Sequence, residues 1–347
     1  MAQTSYGGYA GSWLTVTPLN HAHDGCGTSS DDLSSDWEVE ETRQVPKPSA
    51  WKRVRNLVRC TPFIQTYKKQ KYPWVQLAGH QGNFRAGHHG TIFKKFNSTE
   101  VSCFEKLMKD VLRPYVPAFK GKIVQEDETY IELDDLLVNF ENACVMDIKI
   151  GVRTYSEDEL ARAKGNPKLR KDMYEKMIQI DSNEPTEEEH RLKAITKPRY
   201  MVWRETISST SSLGFRIEGI KKSDGTTSRD FKRTKTKEQV MAAILDFTDG
   251  FSSAINKYYL RMQNIYDALA KSEFFSSHEF IGSSLLFVHD KQNANIWLID
   301  FAKTVPLPLH LHISHQDPWK VGNHEDGYLI GISNLLSIFK TLNEKAV

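Results

Sequence analysis

Cys144-Val-Met-Asp147-Ile-Lys149-Ile-Gly151-Val-Arg153-Thr-Tyr155 places an acid and a base two residues apart in an apolar run. In a strand that spacing points Asp147 and Lys149 to one face, where a carboxylate and an ammonium can act on the same bound group. Downstream, Ile296-Trp-Leu-Ile-Asp300-Phe-Ala-Lys303-Thr reads as an apolar strand ending in an acid and a lysine. A carboxylate there suits a hard cation that bridges phosphate oxygens. Between them lie Thr196-Lys197-Pro-Arg199-Tyr200-Met201-Val-Trp203-Arg204 and Leu213-Gly-Phe-Arg216-Ile-Glu-Gly-Ile-Lys221, and a polyanion needs such clustered Arg and Lys. Each segment alone has a plainer reading: a surface strand, a turn-capping Asp, a solvated helix face. The chemistry that would use them together is phosphoryl transfer, which asks for a cation on the phosphates, an acid on a metal and groups that align the acceptor.

The elements that must position these groups follow from period and punctuation. Gly90-Thr-Ile-Phe-Lys94-Lys95-Phe alternates as a strand, with Lys94 and Lys95 on opposite faces, and Glu100 to Leu112 reads as a helix ended by Pro114. Tyr130 to Leu137 is a further strand leading into a connection. From Glu157 to about Tyr200 the chain is helical and charged, interrupted by Pro167 and by Pro185-Thr-Glu-Glu-Glu, a helix start. Helical stretches at Lys237 to Leu269 and Asp326 to Leu342 flank strands at Ile281 to His289 and Asn295 to Phe301. Residues 1–45, rich in Gly, Ser, Thr and acids, read as a mobile tail. No internal repeat is visible.

The 347 residues suffice for a sizeable core, and 46 Lys and Arg against 44 Asp and Glu argue against a nucleic-acid protein driven by phosphate neutralisation. The four cysteines show no C-x-x-C spacing, so neither a zinc site nor a disulfide framework is expected and a reduced, cytoplasmic compartment fits. There is no apolar run of transmembrane length and no signal-peptide core.

Taken together, the segments from about Trp74 to the C-terminus closely resemble the inositol polyphosphate kinases, above all the branch acting on inositol 1,4,5-trisphosphate. The family pattern P-x-x-x-D-x-K-x-G has Ala143 at its proline position, and Ala302 stands where I-D-F-G-K-T has glycine. The resemblance implies an α+β, two-lobed kinase-like fold: an N-lobe at 74–136 and a C-lobe at 137–347 with a helical substrate-binding insertion at about 157–221. It implies transfer of the ATP γ-phosphate to the 3-hydroxyl of inositol 1,4,5-trisphosphate with Mg2+. Asp147, Lys149 and Asp300 then become catalytic, with Asp300 the metal ligand. Asn83, Lys94, Asp134, Asp135, Leu136, Asp147, Lys221 and Asp300 fall at nucleotide positions. Lys149, Arg170, Lys197, Arg199, Tyr200, Met201, Arg204 and Lys303 fall at substrate positions, and Gly79-His-Gln-Gly82-Asn83 resembles the phosphate-covering loop. The same acid and lysine would also serve a multikinase or hexakisphosphate kinase. A catalytically weak inositol phosphate binder is a further alternative, because alanine at 302 would resist backbone angles that glycine permits.

The segment 46–73 has its own logic. Trp51, Val58 and Ile64, seven and then six residues apart among Lys52, Arg53, Arg55 and Arg59, have the anchor spacing of a helix in a calcium-loaded calmodulin groove. The trisphosphate kinases bind calmodulin through the equivalent segment. Pro62 interrupts the helix before the last anchor, and a basic linker or a membrane-surface helix remains open.

Overall fold

The computed structural model describes residues 83–87 and 90–346. The tail, the calmodulin-type segment with Trp51, Val58 and Ile64, and the Gly79–Gly82 loop lie outside the described residues.

Strands β1 (Phe84–Ala86) and β2 (Thr91–Lys95) precede helix α1 (Ser98–Leu107), and β3 (Phe119–Gln125) and β4 (Glu128–Asp134) complete an antiparallel sheet in the order β1-β2-β4-β3. Asn97 caps α1 by accepting from the Glu100 amide. The helix ends at Leu107, short of the expected Leu112, and lays Val101, Phe104 and Leu107 against Ile92, Ile131 and Leu133. β4 stops at Asp134, where Asp135 turns the chain by accepting the Leu137 amide.

Next comes β5 (Cys144–Ile150). Its alternation is functional: Cys144, Met146, Ile148 and Ile150 enter the main core, whereas Val145, Asp147 and Lys149 face the opposite side. The insertion follows as α2 (Glu157–Gly165), β6 (Leu169–Arg170), α3 (Lys171–Ile180), α4 (Glu187–Leu192), β7 (Ile195–Thr196), α5 (Lys197–Ile207) and α6 (Thr210–Leu213). Its core is a separate cluster of Met173, Tyr174, Met177, Ile195, Tyr200 and Trp203.

The expected end of the insertion near 221 is corrected to Leu213. β8 (Phe215–Lys221) pairs with β5, because its alternating Phe215, Ile217 and Ile220 belong to the core. The remaining elements are β9 (Thr227–Ser228), α7 (Lys237–Phe247), α8 (Ser252–Leu269), α9 (Glu273–Ser276), β10 (His278–Glu279), β11 (Ser284–His289), β12 (Ala294–Ile299), β13 (Val305–Pro306) and α10 (Tyr328–Ala346). Gly250, at φ 76, divides the expected helix 237–269 in two. The central sheet runs β12-β11-β5-β8-β9, all antiparallel, with α8 and α10 packed behind it through Tyr258, Met262, Leu335 and Phe339. No helix among the described residues is long and apolar enough to cross a membrane.

Candidate active site

Three strands bring the central groups to one face. Opposite Asp147 on β5 stands Leu286 of β11, and opposite Lys149 stands Arg216 of β8. Directly paired residues share a face, so Asp147, Lys149, Arg216 and, beside Val145, Lys221 all look toward the cleft. The β5–β8 register shifts at Asp147/Ile148, a bulge that lets Glu218 turn back to this face, where its carboxylate accepts Arg216 Nε at 2.7 Å and lies 3.9 Å from Lys149 Nζ. Burial opposes ionisation of Glu218, but Arg216, Lys149 and Arg204 outweigh it and hold the pKa down at about 2. After Lys149 the chain leaves the sheet through Gly151 at φ 108, where a Cβ would sit 3.1 Å from the Asp326 carbonyl oxygen.

Asp300 follows β12 immediately and is itself left-handed, at φ 66. That turn aims its carboxylate at the N-lobe, where Oδ1 accepts Lys94 Nζ at 2.7 Å. The same ammonium donates to Oε1 of buried Glu100 at 2.7 Å, and the Phe301 amide donates to that oxygen at 3.1 Å. Burial alone would lower the Lys94 pKa; Asp300 and Glu100 reverse this and raise it above the ordinary lysine value. Lys95 points the other way, to Glu128. A cleft of about 550 Å3 extends from this cluster, walled by Phe84, Ile92, Leu133, Leu136, Leu286 and Ile299. An apolar slot with charges at one end suits a flat base carrying phosphates.

Burial, then the nearby Asp300 charge, raise Asp147 to a pKa of about 7, while Lys149 opposes the shift. Asp147 Oδ1 is buried without a hydrogen-bond partner, and the Asp300 side chain is 38% exposed. Two converging carboxylates, one with an unpartnered oxygen, fit a hard divalent cation. Beyond them Lys303 donates to both oxygens of Glu159 at 3.1 and 3.0 Å, and Lys197 lies 3.6 Å from the same carboxylate.

Residues 130–340 match the inositol polyphosphate kinase family model. The chain belongs to the inositol polyphosphate kinase family. It is 53% identical to human inositol-trisphosphate 3-kinase B over 306 residues, 88% of this chain and 32% of that protein. It is 50% identical to the human C form over 303 residues, 87% of this chain and 44% of that protein. With the human A form it shares 50% identity over 327 residues, 91% of this chain and 70% of that protein. The chain thus spans less than half the length of the B and C forms.

In this inositol polyphosphate kinase Lys94 and Asp300 line the larger cleft with Asp134 and Leu136 in its wall, Asp147 and Lys149 lie close to Asp300, and Lys197 and Lys303 meet at Glu159. Asp135 accepts the Leu137 amide within its own turn, and the side chain of Asp134 also pairs with Lys120 at 3.0 Å. The Asn83 carbonyl accepts the Lys95 amide at 2.7 Å, beside β1. Helix α5 divides the basic run. Lys197, Met201 and Arg204, at i, i+4 and i+7, share one side, and Met201 lines a small cleft with Lys197. Tyr200 and Trp203 are buried in the insertion. Arg199 donates to Glu189 at 3.2 Å and to Glu184 at 2.7 Å, while Arg170 forms a bidentate pair with Asp172. Arg199 and Tyr200, expected at the substrate, thus both contact the insertion itself, Arg199 at its carboxylates and Tyr200 in its core.

The concern over Ala302 is corrected as well: the left-handed angle falls on Asp300, and exposed Ala302 is outside the positive-φ residues. The sequence reading missed Glu100, Glu159 and Glu218. Asn97-x-x-Glu100 and Ser156-x-x-Glu159 are helix-start signatures that place the first two in the first turns of helices.

Proposed function

We propose that this chain transfers the γ-phosphate of ATP to the 3-hydroxyl of inositol 1,4,5-trisphosphate. The observation that carries the reading is Lys94 bound to Asp300 at the mouth of an apolar cleft, beside Asp147 and Lys149 and facing the cations of the insertion. Adenine lies between Ile92, Leu133, Leu136, Leu286 and Ile299, and Lys94 holds the phosphates. Lys149 stands where it can meet both the transferring group and the acceptor. Asp147, buried beside Asp300 and Lys149, lies on the nucleotide side of the transferring group. Asp300 and Asp147 would hold Mg2+, which supplies charge neutralisation at the phosphates. Lys197, Arg204 and Lys303 receive the acceptor phosphates, with Arg170 at the insertion's edge and Lys221 farther along the nucleotide side.

The relatives are named as trisphosphate 3-kinases, which supports this acceptor over a broader multikinase. Calmodulin binding through Trp51, Val58 and Ile64, and a cytoplasmic location, complete the proposal on sequence grounds. Purified protein, ATP and Mg2+ are tested against a panel of inositol phosphates, with product regiochemistry assigned by NMR. A single product phosphorylated at the 3-position supports the reading. Comparable turnover of many acceptors would make it a multikinase, and binding without turnover an inositol phosphate binder.

A further inference from the structure

Glu159 draws its partners from two parts of the fold. Its Oε2 accepts the Ser156 amide at 3.1 Å, closing the capping box of α2. Both oxygens accept Lys303, which follows Asp300 by three residues on the core, and Oε1 lies 3.6 Å from Lys197 at the start of α5. The carboxylate is 19% exposed and lines a cleft of about 200 Å3 with Tyr155, Lys197 and Met201. A capping box needs none of this, since glutamine serves equally at its third position. Burial opposes ionisation here, yet the two lysines and the Ser156 amide keep the Glu159 pKa below the ordinary glutamate value, so it carries its charge at neutral pH.

We propose that Glu159 is a specificity-determining residue of the acceptor site: it holds Lys303 and Lys197 in place for the acceptor's phosphates and turns away an inositol bearing a further phosphate at that end. The inference rests on the kinase reading above. Two ammonium groups and one carboxylate leave a net charge of +1 at this end of the cleft. That attracts the phosphates the acceptor must have. A further phosphate would meet the carboxylate at short range in a partly desolvated space, where like charges repel far more than in bulk water. Rejection by a placed like charge is a common way to gain selectivity without tighter binding to the correct ligand.

The test uses the full chain with Glu159→Gln, which keeps the shape and the capping hydrogen bond and removes the charge, and Glu159→Asp, which keeps the charge and shortens the reach. The acceptors are inositol 1,4,5-trisphosphate and the 1,4,5,6- and 1,2,4,5-tetrakisphosphates, which retain a free 3-hydroxyl. In Glu159→Gln, kcat/KM for at least one tetrakisphosphate relative to the trisphosphate is expected to rise about tenfold or more, with the KM for ATP unchanged. In Glu159→Asp the discrimination should persist while the KM for the trisphosphate rises. An unchanged ratio in a folded Gln variant, or lost discrimination in the Asp variant, overturns the proposal; the Asp arm decides alone if the Gln variant does not fold. Absence of trisphosphate turnover in the wild type would sink the kinase reading and this one with it, whereas normal wild-type turnover with either overturning result sinks this one alone.

Discussion

Lys94 Nζ donates to Asp300 Oδ1 at 2.7 Å across 206 residues of sequence. The contact joins the N-lobe sheet to the end of a central strand, and Glu100 completes it from α1. Below it the rings of Phe104 and Phe301 meet edge to face at 5.4 Å, so the lysine, the helix and the strand end are packed as one unit.

Asp300→Asn and Lys149→Ala each remove a charge where phosphoryl transfer needs it. Turnover should fall by roughly a thousandfold in each, with the far-ultraviolet circular dichroism unchanged. A correctly folded variant that retained near-normal turnover would move the site elsewhere.

Asp147→Asn should stabilise the unliganded protein while abolishing transfer. The Asp147 pKa is raised from 3.8 to about 7, chiefly by burial. Between about pH 4 and 7 the folded state therefore holds a proton that the unfolded chain has released, and stability falls as the pH rises through that window. Above it the full cost of the buried carboxylate is present, of the order of 2–4 kcal/mol. The gain from asparagine should be largest near pH 8 and shrink toward zero near pH 4, as read from paired denaturant titrations. A gain independent of pH would argue against a titrating Asp147.

Arg199→Ala and Arg204→Ala should fail in different ways. Arg199 is 14% exposed and clamps Glu184 and Glu189, so its loss should cost about 1–3 kcal/mol of stability. Arg204, on the Glu218 and Lys149 side, should raise the acceptor KM about tenfold or more with little change in melting temperature or in the KM for ATP. Thermal melts and two-substrate kinetics separate the two effects, and an equal rise in both KM values for Arg204→Ala would place it off the acceptor site.

The contrast within α5 shows where sequence reading stops. Asp147 and Lys149 share a face by simple alternation, so that pair was legible at once. The run from Lys197 to Arg204 was legible as basic but not as two-sided, because only the helix period separates Lys197 and Arg204 from Arg199, and composition says nothing of Glu184 waiting on the other side. The bulge that returns Glu218 to the cleft face leaves no mark in Phe-Arg-Ile-Glu-Gly-Ile-Lys beyond its glycine. Asp300 is legible by type, but its left-handed backbone is not: the family glycine draws attention to position 302, whereas aspartate itself tolerates that conformation.

Ala302→Gly should therefore leave turnover within about twofold of wild type. With no positive φ to relieve at 302, glycine adds only freedom to the unfolded chain, a loss of about 0.4–1 kcal/mol in stability. A large rise in activity would mean that alanine restrains a movement of the Asp300 turn needed in the cycle.

Trp51→Ala tests the regulatory half of the proposal. Trp51 stands 32 residues before Asn83, the first described residue, and the basic side chains Lys52, Arg53, Arg55 and Arg59 around it suit calmodulin's acidic rims. Calcium should be required, because loading opens the grooves that accept the anchors. Loss of the buried aromatic should cost about 2 kcal/mol or more of calmodulin affinity, with basal kinase activity near wild type. Calorimetry in calcium and in chelator, alongside a kinase assay, decides it: calcium-independent binding, or none, leaves a linker or membrane-surface helix. A fall in basal activity would instead make Trp51 part of the catalytic domain and move the domain boundary upstream of Trp74.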